Sequence, residues 1–225
     1  KSADFNKDGI IDLKSEMVFG SAYYAASSDK SGKTSYMKNI TESFLEGRKI
    51  IAGMDGKTLD DATRTRLANL AAVIQSNWEK VFAEAIFKYA GSVYKDINAI
   101  HAAKNAGKDT KKLYRKYCKH WGELKGFSLA IQTGKSNLGE TATSMNKLIG
   151  FGPVTMDATY VTGVNASGDF ERKRRYMWSD YQVHMLKVQD LMIKKFGVTA
   201  RANDGTDKMA ALLKKLGEST TGETD

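Results

Sequence analysis

Between Thr58 and Ala103 the chain runs for roughly forty-five residues with no proline and a single glycine, Gly91. Leu67, Leu70, Ile74, Trp78, Val81, Phe82, Ala85, Ile86, Tyr89, Val93, Ile97 and Ile100 recur within it at steps of three and four. That spacing predicts one long helix with a wide buried face, around which shorter helices must pack. Thr58 and Asp61 read as its N-cap pair, and Asn105-Ala106-Gly107 supplies the stop.

The rest of the composition agrees with a helical fold. Pro153 is the only proline in 225 residues, which favours uninterrupted helices over strands joined by tight turns. Hydrophobic residues at 41% and charged residues at 27% are ordinary for a folded domain, and the length suffices for one sizeable core. No run approaches the roughly twenty apolar residues of a membrane span. The chain opens on Lys1-Ser2-Ala3-Asp4, which reads as a processed or truncated start. Cys118 is the only cysteine, so no internal disulfide forms.

A net charge of +9 invites an acidic partner. The charge is concentrated only in Arg172-Lys173-Arg174-Arg175 and between Lys108 and Lys119, where it alternates with Leu113, Tyr114 and Tyr117 as on a solvated helix face. No helix-turn-helix, zinc-finger or RNA-binding signature accompanies it, which argues against nucleic acid.

The most specific local signal stands at the N-terminus. Asp4-Phe5-Asn6-Lys7-Asp8-Gly9-Ile10-Ile11-Asp12 places oxygen side chains at positions 1, 3, 5 and 9 of an EF-hand-like calcium loop, with glycine at 6. Calcium takes six to eight oxygens; Asp4, Asn6, Asp8 and Asp12 offer side chains and Ile10 its carbonyl. Position 12 is Ser15, with Glu16 one residue late, so Glu16 closes the site from the following helix. The plain alternative is an Asp/Asn/Gly turn without metal. Three stretches follow from this: a calcium loop over 1–16, a helical bundle over 17–217 and a flexible tail over 218–225.

Within the bundle, about six helices are predicted. One runs from Leu13 to Ser27 with Asp12 as N-cap, one from Ser35 to Ala52, then the long helix, one from Asp109 to Thr133 and a short one from Gly139 to Ile149. The period is lost after Gly150, where Thr159-Tyr160-Val161-Thr162 allows a short β-segment. Asp169 is then expected to cap a helix reaching Phe196, and a last helix ends at Leu216. Trp78, Phe82, Ile86, Tyr89, Trp121 and Phe127 are the expected core. Gly122 and Gly126, four apart, predict a close helix approach, while His120 with Glu123 and Asp180 with His184 are candidate metal-ligating pairs. Arg48 lies near the apolar face of its helix.

Asp4 to Glu16, Phe44-Leu45-Glu46-Gly47-Arg48, His120-Trp121-Gly122-Glu123-Leu124-Lys125-Gly126-Phe127 and Tyr181-Gln182-Val183-His184-Met185-Leu186 together resemble the later portion of a bacterial domain-of-unknown-function family. Its members are exported lipoproteins related in style to the imelysins. The resemblance implies an all-helical protein of the periplasm or outer-membrane surface, anchored through a lipid-bearing portion that precedes this one. It further implies a role beside iron acquisition or an envelope protein. It transfers no catalytic residues.

Two classes of function follow. One is a calcium-stapled, non-catalytic binding or interaction module. The other is an enzyme, most naturally an imelysin-like peptidase or other metal-dependent hydrolase, although the imelysin-type Gly-x-His-x-x-Glu signature is missing, as are His-Glu-x-x-His and a Gly-x-Ser-x-Gly elbow. Cys118, between Tyr117 and Lys119, reads as a small packed residue rather than a nucleophile.

Overall fold

A computed structural model of the chain describes residues 7–11, 20–134, 136–174 and 177–220. The described fold is all-helical apart from one hairpin. It runs α1 (Gly20–Asp29), α2 (Tyr36–Gly53), α3 (Asp61–Asn105), α4 (Lys111–Ala130), α5 (Gly139–Ile149), strands β1 (Thr159–Val164) and β2 (Phe170–Arg174), α6 (Trp178–Phe196) and α7 (Met209–Thr220).

The long helix stands where its periodicity puts it, with one change at its start. Asp60, not Thr58, is the N-cap: its carboxylate accepts the Thr63 N–H at 2.7 Å, leaving Asp61 in the positively polarised first turn. Ala106 ends the helix and Gly107 takes a left-handed φ of 65°. From Ala83 to Ile100 α3 is buried on nearly all sides, enclosed by α4 on one flank and α6 on another. Its N-terminal half is different. None of its buried residues precedes Asn77, and that half packs mainly on α2, so α2 and the first five turns of α3 form a helical hairpin extending beyond the main core.

α2 is capped from a distance. Ser35, at the N-cap position, makes no side-chain cap, and Asp29 at the end of α1 does this instead, accepting the N–H groups of Tyr36 and Met37 at 2.7 and 2.8 Å. A carboxylate at a helix N-terminus satisfies orphan donors and complements the dipole, so α1 and α2 are fixed as a pair.

The main core joins α3, α4, α5 and α6 around Ile86, Phe87, Tyr117, Leu124, Met145 and Leu186. Trp121 donates its indole N–H to the Tyr181 hydroxyl at 2.8 Å, and Tyr181 donates to the Ile149 carbonyl at 2.7 Å, so one chain of bonds ties α4, α6 and α5 together. Of the expected core, Ile86, Tyr89 and Trp121 are buried, whereas Trp78, Phe82 and Phe127 are only partly covered.

Two expectations require correction. Asp169 caps no helix. Asn165 accepts the Ser167 and Asp169 N–H groups and Gly168 turns at φ 87°, closing an antiparallel hairpin whose second strand is Phe170–Arg174; α6 therefore begins only at Trp178. Gly122 and Gly126 approach nothing, since a β-carbon on either would meet no atom within 4 Å. The close approach belongs to Gly91, where a β-carbon would lie 2.0 Å from the Asn203 carbonyl oxygen. Smaller differences occur at element ends: Ile131–Thr133 tightens from α4 into a 3-10 turn, and α7 continues past Leu216. Asp12 and the start of the predicted first helix lie outside the described residues.

Candidate functional site

Four of the six expected calcium ligands, Asp4, Asn6, Asp12 and Glu16, lie outside the described residues. The two that are described, Asp8 and Ile10, sit in a tight bend: Asp8 accepts the Ile10 N–H at 2.8 Å, and Lys7 and Gly9 take left-handed φ values of 61° and 85°. Such a bend belongs to an Asp/Gly turn and to a calcium loop alike.

The two His/carboxylate pairs are directed elsewhere. His120 turns its Nδ1 to Asp96 of α3 at 2.5 Å, and Lys116 reaches the other oxygen of that buried carboxylate at 3.2 Å. Asp180 accepts the Met177 N–H at 3.1 Å as the cap of α6, and the His184 ring lies 6.2 Å from that of Tyr181. Among the described residues no three His, Cys, Asp or Glu side chains gather to hold a metal. Next to His120, Tyr89 and Tyr24 join hydroxyls at 2.6 Å, with the Lys88 ammonium above both rings. Burial, with the Glu123 carboxylate adding to it, pushes both phenols above their ordinary values, so the pair stays neutral. Glu123 Oε2 is buried without a hydrogen-bond partner among the described residues. Burial likewise raises the Cys118 thiol and removes thiolate character.

Glu84 is the most heavily used carboxylate of the described fold. It is 4% exposed and accepts the N–H groups of Thr199, Ala200 and Arg201 at 2.8, 2.9 and 3.2 Å, together with the Tyr36 hydroxyl at 3.2 Å. The loop after α6 is thereby held to both α3 and α2. This is structural work, and the charge is spent on it.

A large apolar opening lies on the helical hairpin. A trough follows α3 from Leu67 to Phe82, walled by α2 on one side and by the end of α4 on the other. It consists of two adjoining cavities of about 410 and 470 Å³, with Phe44, Ala71 and Ile74 common to both. Phe44 is 58% exposed and Ile51 61%. Gly47 makes a depression in the α2 wall, and Arg48 is a cation lining one cavity, without an ion pair among the described residues. Arg66 pairs with Glu46 across the hairpin and holds its helices in register.

The apolar residues of this face were readable as one stripe of an amphipathic helix. What no periodicity reveals is that the described fold covers that stripe only in part. Comparison of the chain with known protein families, with characterised proteins and with solved structures finds no match.

Proposed function

We propose that this chain is a non-catalytic helical interaction protein of the bacterial cell envelope, stapled at its N-terminus by calcium, and that its working surface is the trough between α2 and the first half of α3. The open trough is the observation that carries this reading. An apolar face of this length is costly to leave in water and marks a protein-contact surface. Its shape suits the apolar side of a protein helix or helix pair rather than a small molecule, because it is open along its whole run instead of closing over a ligand. The titratable groups support the same reading, since Asp96, Asp180 and Glu84 each hold a structural partner. The envelope location and a role beside iron acquisition rest on the family resemblance.

The test uses an apolar fluorescent probe, 1-anilinonaphthalene-8-sulfonate, on the folded chain. Native protein should enhance its emission, and Phe44→Glu with Ile51→Glu should abolish the enhancement while circular dichroism stays unchanged. Enhancement indifferent to both substitutions would remove the trough from the account.

One observation favours the enzymatic alternative. A histidine whose Nδ1 is held by a buried carboxylate is oriented as a general base is, and the buried Glu123 oxygen lies one turn along the same helix. Turnover of peptide substrates abolished by His120→Ala would support it.

A further inference from the structure

We infer that the occupant of the trough is the same face of a second copy of this chain, two α2/α3 hairpins closing antiparallel into a four-helix bundle. This rests on the reading of the trough as the interaction surface and names its partner.

Charge is the first argument. The chain carries +9, and two such chains repel. Between Tyr36 and Lys80, however, seven lysines and arginines face six aspartates and glutamates, so the hairpin is almost neutral and nearly all of the excess lies elsewhere. The part of the surface that is apolar is also the part relieved of self-repulsion.

The second argument is geometric. A closed homodimer needs one self-complementary patch, each residue meeting its counterpart across a two-fold axis. A β-carbon on Gly47 would lie 3.8 Å from the side chains of both Leu67 and Leu70, which sets the level of the neighbouring Arg48 along α3. Glu79 lines the other cavity, about 15 Å further on at roughly 1.5 Å per residue. Ile74, shared by the two cavities, is midway. A two-fold axis at Ile74 therefore brings Arg48 to the level of the partner's Glu79, and Glu79 to the level of the partner's Arg48. The exposed Phe44 ring meets an apolar trough instead of water.

The size is also appropriate. The 18 residues of α2 run about 27 Å, and a face two helices wide is about 20 Å across, giving about 540 Å² in projection. Accessible area exceeds projected area on so ridged a face, and standard interfaces bury roughly 800 Å² per partner. A single added helix would fill the trough but leave the outer rim of the hairpin in water.

Sedimentation equilibrium of the full chain at micromolar concentration tests this. The expected mass is twice the 24.8 kDa of the chain. Arg48→Glu and Glu79→Arg should each weaken dimerisation by roughly tenfold or more, and the double exchange should restore it. The restoration keeps the test valid even though Glu79 also accepts from Gln75 and Ser136, because a merely unfolded variant is not rescued. A single-chain mass at all concentrations overturns the inference, as does a dimer indifferent to Phe44→Glu. A monomer that still binds the fluorescent probe in a Phe44-dependent way removes only the second copy; a monomer whose probe signal ignores Phe44→Glu removes the interaction surface as well.

Discussion

The carbonyl oxygen of Asn203 stands 2.0 Å from the place a β-carbon on Gly91 would occupy, so the loop after α6 rests directly on the backbone of α3. Gln189 fixes this crossing: its amide donates to the carbonyls of Phe87 and Asn203 at 3.0 Å each and accepts the Gly205 N–H at 3.0 Å. Gly91→Ala must push backbone against backbone and should cost about 3 kcal/mol. Gly122→Ala and Gly126→Ala should do the opposite. Both sites are open and helical, so each gains about 0.5–1 kcal/mol of helix propensity. Denaturant titrations decide it, and equal signs at all three positions would contradict the packing described.

Glu84→Ala should cost about 2–4 kcal/mol, because it strips the acceptor from three N–H groups of the 199–201 loop in a partly buried setting. Glu84→Gln keeps one acceptor oxygen and should lose less. Urea midpoints measure the difference, and a loss within about 0.5 kcal/mol for the alanine variant would place the loop's anchorage elsewhere.

Alkaline pH should expose the tyrosines. Burial, followed by the neighbouring Glu84 charge, pushes the Tyr36 phenol up to about 12, and burial, followed by the Cys118 contact, does the same for Tyr114. The unfolded chain releases these protons near pH 10. The folded state therefore holds them more tightly, and the stability this provides is complete below about pH 10 and is lost as the pH climbs through about 12. Thermal midpoints measured from pH 9 to 12 should fall, with a shallower decline in Tyr36→Phe. A decline unchanged by that substitution would exclude Tyr36 as a contributor.

Calcium should raise the melting midpoint by mass action if it binds only the folded state. Asp8→Ala should abolish the calcium-dependent shift, and Glu16→Ala should weaken it less, because that carboxylate stands one residue late in the loop. Binding should weaken in acid as the carboxylates take up protons. An identical midpoint with chelator, together with no heat of calcium binding, would reduce the loop to a turn.

The fold is legible in the sequence where one local rule determines the outcome. A forty-five-residue apolar period yields α3 regardless of its neighbours, and Gly139 to Ile149 forms α5 as patterned. It is not legible where tertiary contacts decide. Asp60 displaced Thr58 because the two differ by only two positions and both can cap. Phe170 to Arg174 carries no period that separates strand from helix, and only the turn at Asn165 and Gly168 makes it a strand. Gly91 stands out as the single glycine of α3, but its role is not legible locally because its contact is with a loop more than a hundred residues away. His120 was paired by spacing with Glu123, whereas its partner Asp96 comes from another helix. Phe44, Leu70 and Ile74 have the pattern of core residues, and the sequence does not record which amphipathic face is covered only in part.

Hydrogen–deuterium exchange at two protein concentrations maps the contact between copies onto the chain. The account predicts that raising the concentration slows exchange in α2 and in residues 61–80, while α5 and α6 exchange at an unchanged rate. Protection that does not change with concentration, or that rises instead around His120, would contradict it.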